Sequence, residues 1–282
     1  MGKLSGNNKF NTSYKKRPFD SYKSIVDKLD EETKKKLDRQ RTLGMLVIVM
    51  IVLGLIIVLA VTGIGVDKSR SVMGNVFADK EKVLIECFGD SITEGWTLKK
   101  GYSVYAETTY PQEMQSELLR LFSEDGRKYK FTTLEVKNYG MSTTVLSSDS
   151  ASRLSGNADI VVMLYIVNNF SEGTEYEGMI ESNIEMIRNS GSQVFLMNYP
   201  CTTSGRILEG YAEQANNTIA YAADKLSVKL FDANAYFKEL ETQYSEDDLF
   251  LYDGLHLTDL GYKLLGDFAA QQIHDYYFEN YQ

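Results

Sequence analysis

The stretch FGDSITEG, residues 88–95, carries a single serine, Ser91, between Asp90 and Ile92, with Gly89 and Gly95 on either side. A serine hydroxyl attacks a carbonyl only when a neighbouring base takes its proton, and imidazole is suited to that task near neutral pH. The chain holds two histidines, His256 and His274. His274 falls within a long amphipathic stretch near the C-terminus and reads as a surface or packing residue. His256 sits in DGLHLT (253–258), a glycine-containing loop, with Asp253 three residues before it. A carboxylate at that position can accept a hydrogen bond from the Nδ1–H of His256 and hold the ring in the tautomer that presents Nε2 to Ser91. Attack on a carbonyl creates an oxyanion, and the candidate donors for it are the backbone N–H groups of Ser91 and Gly140 and the side-chain amide of Asn168. Asp90, Trp96, Tyr139 and Asn169 adjoin these groups and are the candidate substrate contacts. Each residue also has an architectural reading. Asp90 and Ser91 suit a helix start, Gly140 a turn, Asn168 an Asx-turn, and Asp253 with His256 the closure of a loop.

Chemistry spread over such distant segments needs a fold that gathers them. Five short runs rich in apolar and β-branched residues suit strands: VLIECF (83–88), FTTLEVKN (131–138), DIVVMLYIV (159–167), SQVFLMN (192–198) and VKLFDA (228–233). Between and after them lie stretches with helical spacing. These are 111–122, with Pro111 suited to a first turn, 176–189, 207–226, and 257–280 with Thr258 as its cap. Alternating strands and helices with nearly continuous apolar strands predict one α/β domain whose parallel sheet is covered on both faces. In such sheets functional residues collect just beyond the C-terminal ends of the strands. Ser91, Gly140, Asn168 and the 253–258 loop all follow predicted strands, so the sheet would bring them to one edge.

Taken together, GDSIT (89–93), NYG (138–140), the Asn168 segment and DGLHLT (253–258) resemble, in order and spacing, the four blocks of the SGNH hydrolases, also called the GDSL-like lipase/acylhydrolase family. The resemblance covers roughly residues 82–280; its first and last blocks are specific and the middle two weaker. It implies Ser91 as nucleophile and first oxyanion donor, Gly140 and Asn168 as the other donors, His256 as base and Asp253 as its partner. It further implies a flavodoxin-like three-layer α/β/α sandwich and no metal or organic cofactor. The third block departs from the family's usual Gly-x-Asn-Asp, reading Ile166-Val167-Asn168-Asn169. The family strand order also bears on Cys87 and Cys201. Strands one and four would be separated by strand three, about 9.6 Å between axes, beyond the roughly 7 Å reach of a disulfide between Cα atoms, so two free thiols are expected.

Outside this domain the composition changes. Residues 42–66 are 25 consecutive residues without a charge, more than the ~20 a helix needs to cross a bilayer. The run is longer and starts later than the apolar region of a cleaved signal peptide. Residues 1–41 carry 12 Lys or Arg against 6 Asp or Glu, which places the N-terminus in the cytoplasm and the rest outside. The expected organisation is a cytoplasmic basic tail (1–41), a transmembrane helix (42–66), a linker (67–80) and an extracytoplasmic hydrolase domain (81–282). The formal charge of −9 divides into +6 on the tail and −15 beyond it. An acidic catalytic portion argues against nucleic acid as a partner, whereas the basic tail suits anionic inner-leaflet lipid or simply fixes the topology.

Asn216-Asn217-Thr218 matches a glycosylation acceptor pattern. Tyr102, Tyr139, Tyr165 and Tyr199 lie near predicted strand ends and, with Trp96, are candidate stacking faces for a sugar. The leading expectation is a membrane-tethered serine esterase that removes acetyl or another small acyl group from cell-surface carbohydrate. Alternatives are an O-acetyltransferase on the same glycan, a lysophospholipase or thioesterase, and a non-catalytic glycan-binding protein.

Overall fold

The computed structural model describes residues 74–280, apart from 143, 175, 177, 203, 204 and 207, together with the isolated Thr33 and Lys35. The expected transmembrane span 42–66 lies outside the described residues, as does nearly all of the expected tail. Among the described residues no helix is long and apolar enough to cross a membrane. The chain divides into two compact units, Met1–Arg70 and Ser71–Gln282, and the second carries the sheet and the site.

Five strands, β1 (Lys82–Gly89), β4 (Thr133–Gly140), β5 (Ile160–Leu164), β6 (Gln193–Met197) and β7 (Lys229–Phe231), form one sheet in the order β4-β1-β5-β6-β7. Every pairing in it is parallel. This is the 2-1-3-4-5 order of doubly wound sheets. Because successive side chains on a strand point to opposite faces, each row of register partners shows what covers one face. Cys87, Val162 and Phe195 form one such row. It meets α3 (Tyr110–Glu124) and α9 (Asp259–Asn280): Cys87 lies beside the Tyr110 hydroxyl, and the Phe195 ring meets Tyr276 edge-on at 4.9 Å. The preceding row, Glu86, Val161 and Val194, faces the other way. There Glu86 and Val161 bound a cavity of about 170 Å³ with Met186 and Ile187 of α5 (Met179–Asn189). Helices therefore cover both faces, which is why β5 is buried along its whole length and reads as IVVML. Cys87 and Cys201 are buried free thiols, and burial pushes Cys201 up to about 11.

Three features differ from the sequence expectation. Residues 67–80 are not all tether, because α1 (Val76–Asp79) is capped by the Asn75 side chain and docks onto the domain. Phe77 is fully buried against Phe122, Phe131 and Tyr277, an anchor that a short apolar pair in a polar stretch does not announce. The third strand stops at Leu164 rather than 167, because the backbone reverses at Ile166, φ 108°, while the side chains stay apolar through the turn. An antiparallel hairpin, β2 (Trp96–Lys99) with β3 (Tyr102–Tyr105), follows the short helical turn after β1 and was not expected. Lys100 and Gly101, both at positive φ, turn it, and a Lys-Gly pair is a weak hairpin signal beside Asn-Gly.

Candidate active site

Ser91 opens α2 (Ser91–Glu94), a single turn placed directly after β1. Asp90 caps it by accepting the Ile92 N–H at 3.2 Å, and Gly95 at φ 92° ends it. The first position of a helix has no carbonyl within the helix for its N–H, so the Ser91 N–H points outward from the turn. The end of β4 presses on the backbone of this turn: a Cβ on Gly140 would stand 2.0 Å from the Glu94 nitrogen. Asn138 clamps the contact, donating to the Thr93 carbonyl at 2.7 Å and accepting the Gly140 N–H at 2.8 Å.

The loop carrying His256 is closed on itself. Phe250 bridges to Leu257, and the Leu251 N–H donates to the His256 carbonyl at 2.7 Å. Gly254, at φ 78°, allows the turn between them, where a side chain would collide with Thr202 and Arg206. Asp253 Oδ1 accepts the Leu255 and His256 N–H groups, each at 3.0 Å, which leaves Oδ2 for the ring: His256 Nδ1 lies 2.7 Å from it. Burial pushes the Asp253 carboxyl upward, but its bond to His256, the charge of that ring and the two backbone donors outweigh burial and hold it below the ordinary value. His256 Nε2 lies 2.8 Å from Ser91 Oγ. The Trp96 ring rests against the imidazole, centroids 4.2 Å apart, and the hairpin that carries it is tied to the loop by Thr97 Oγ1 donating to the Leu257 carbonyl at 2.9 Å. His274, buried on α9 with Nε2 3.1 Å from Asp125, is a packing residue as expected.

The remaining candidates fall differently. The Asn168 amide reaches the same edge but donates to the Ser142 and Thr144 carbonyls at 3.3 and 3.1 Å, and the Gly140 N–H is on Asn138. Two of the three expected oxyanion donors therefore hold internal acceptors. Asp90 and Asn169 are corrections as substrate contacts, since both are fully buried. Asn169 uses its amide on the Leu146 backbone, accepting at 2.8 Å and donating at 2.9 Å. Asp90 accepts the Tyr199 hydroxyl, and burial raises its carboxyl to about 6, with Tyr199 and the Ile92 N–H pulling the other way. Tyr139 is half-buried. Tyr165 and Tyr199 are buried and present no stacking face, while Tyr102 is exposed, as are Tyr105 and Tyr252, which sequence reading passed over. Asn216 is no glycosylation acceptor in the folded chain: it is buried and grips the Tyr199 backbone, accepting from N at 2.6 Å and donating to O at 2.8 Å.

A hydroxyl, an imidazole and a carboxylate in sequence, at the C-terminal edge of a parallel sheet covered by helices, is the arrangement of a serine hydrolase. Residues 87–264, more than half of the chain, match the model of the GDSL-like lipase/acylhydrolase family, and the chain belongs to it. Two solved structures share its fold, and a third is also similar. An acetyl-xylooligosaccharide esterase variant from Geobacillus Stearmophilus is 19% identical with a TM-score of 0.53, covering 70% of this chain and 95% of its own. The acetyl xylan esterase AlAXEase is 20% identical with a TM-score of 0.51, covering 67% and 99%. A lipase/acylhydrolase from Enterococcus faecalis is 24% identical with a TM-score of 0.49, covering 69% and 96%. No match was found among curated proteins.

Proposed function

We propose that this chain is a serine esterase that removes acetyl groups from carbohydrate at the outer face of a membrane. The observation that carries the chemistry is the continuous contact from Ser91 Oγ through His256 to Asp253. Ser91 Oγ adds to the ester carbonyl carbon as its proton passes to His256 Nε2. The tetrahedral intermediate then collapses with cleavage of the bond to the sugar oxygen, which takes that proton and leaves. Water, deprotonated by the same nitrogen, attacks the acyl-Ser91 ester; the bond to Oγ breaks, Oγ takes the proton back from Nε2, and acetate leaves. Asp253 keeps the Nδ1 proton in place throughout. The oxyanion draws the Asn168 amide and the Gly140 N–H from their internal acceptors, and the Ser91 N–H joins them.

Two features support an acetylated sugar as substrate. Trp96 against the imidazole offers an aromatic face beside the reacting groups, and the two acetyl esterases of the same fold make this class the first to test. The uncharged run 42–66 behind a basic tail supports the tether. Acetate release from an acetylated xylooligosaccharide and from isolated cell-surface polymer, measured for wild type and Ser91→Ala, tests the reading. Release by wild type alone is expected, and equal release by both overturns the mechanism. With nitrophenyl esters the rate should peak at acetyl; a peak at octanoyl or longer overturns the small-acyl assignment.

A further inference from the structure

Tyr199 follows β6 and takes no part in the proton path, yet its hydroxyl sits between the two segments that carry the reaction. It donates to Asp90, the residue that caps the Ser91 turn, and accepts the Val167 N–H at 3.1 Å. Val167 opens α4 (Val167–Glu172), whose second residue is Asn168. Carried just beyond the end of β6, this hydroxyl bridges the segments that follow β1 and β5.

The position matters because the turn it holds is strained. Ile166 adopts φ 108° and ψ −15°, a left-handed region in which a β-branched residue is an outlier. Such conformations cost about 1–3 kcal/mol and persist only where surrounding contacts over-determine them. Three contacts fix this one. The Ile166 side chain is fully buried, Asn169 pins the helix to Leu146, and Tyr199 holds the Val167 N–H. Tyr199 is itself fixed before any substrate arrives, its ring fully buried and its backbone gripped by Asn216.

We infer that Tyr199 is a positioning residue, whose hydroxyl locks the nucleophile turn at Asp90 to the oxyanion helix at Val167 and so sets the spacing between Ser91 and Asn168. This rests on the reading of Ser91 as nucleophile and Asn168 as oxyanion donor. The hydroxyl satisfies both neighbours only by donating to one while accepting from the other, so the two segments are coupled through it. Phenylalanine in its place keeps the packing and frees both ends, allowing the Ile166 turn to relax and the Asn168 amide to drift.

Steady-state kinetics on nitrophenyl acetate for wild type, Tyr199→Phe, Asp90→Asn and the double variant tests this. Tyr199→Phe should lower kcat about 10- to 100-fold, the scale of a misplaced reacting group, with KM within about 2-fold. The double variant should be no slower than the slower single variant, because residues acting as one unit are not additive. Unchanged kcat in a folded Tyr199→Phe, a rise in KM with kcat intact, or losses that multiply in the double variant would overturn the inference. Urea unfolding midpoints identify a variant that fails to fold; the decision then passes to Asp90→Asn, whose kcat should fall with KM held, a wild-type kcat refuting the lock. A wild-type enzyme without turnover, with Ser91 unlabelled by an organophosphonate, is a separate result that removes the esterase reading itself.

Discussion

At the scale of single residues, Asp253 does two jobs with two oxygens, one closing the loop through backbone N–H groups and one orienting His256. Asp253→Asn separates them. Its amide oxygen can still accept from Leu255 and His256, but its NH₂ faces Nδ1 and forces the proton onto Nε2, where it blocks acceptance from Ser91. We expect the fold to be retained and kcat to fall on the order of 10⁴-fold, as when a triad aspartate is exchanged for asparagine; steady-state rates and urea midpoints check both halves. Asn168 tests a different point, since its amide is on the Ser142 and Thr144 carbonyls. If it moves to the oxyanion, Asn168→Ala loses about 10²- to 10³-fold in kcat, whereas retention of wild-type kcat means that the amide stays on the loop throughout catalysis. Ser91, His256 and Asp253 were legible in the sequence because each chemical role admits few residue types. Asp90 and Asn169 were misread because adjacency in sequence does not report on which side of a turn a side chain lies. Tyr199 was noticed only as an aromatic, and nothing in its neighbourhood announces a hydroxyl shared by two distant segments.

At the scale of elements, the site depends on how closely β4 approaches α2. Gly140 has no room for a side chain against the Glu94 backbone, so Gly140→Ala must push strand and turn apart. Overpacking of this kind costs about 1–3 kcal/mol, and the displacement moves Ser91 away from His256. A lower urea midpoint together with a fall in kcat is expected, and wild-type values for both would mean that the contact is looser than the structure shows. The five strands and four long helices were readable because their periodicity is sustained, and the strand order makes one edge of their C-terminal ends. The hairpin β2–β3 escaped because its strands, WTLK and YSVY, mix polar with apolar residues and are mostly unburied, and its turn residues are ordinary. It is nonetheless the element that brings Trp96 onto the imidazole, so the missing part of the reading was architectural while the residue it carries there had been noted.

At the scale of the whole molecule, the charge is split between a basic tail and an acidic remainder, with the uncharged run 42–66 between them. If that run anchors the chain, the full-length protein sediments with membranes and resists extraction by high salt, which screens only electrostatic attachment. Removal of residues 1–66 should release a soluble unit with unchanged kcat on nitrophenyl acetate, since the second compact unit begins at Ser71. Full-length protein in the soluble fraction would contradict the anchor without touching the chemistry. The fold and the triad meet in one claim, that Ser91 carries the acyl group. Its most direct test is mass analysis of the intact chain and its peptides after treatment with an organophosphonate ester. One adduct per chain, on the peptide containing Ser91 and lost in Ser91→Ala, is the expected result; no adduct, or an adduct on another residue, would contradict it.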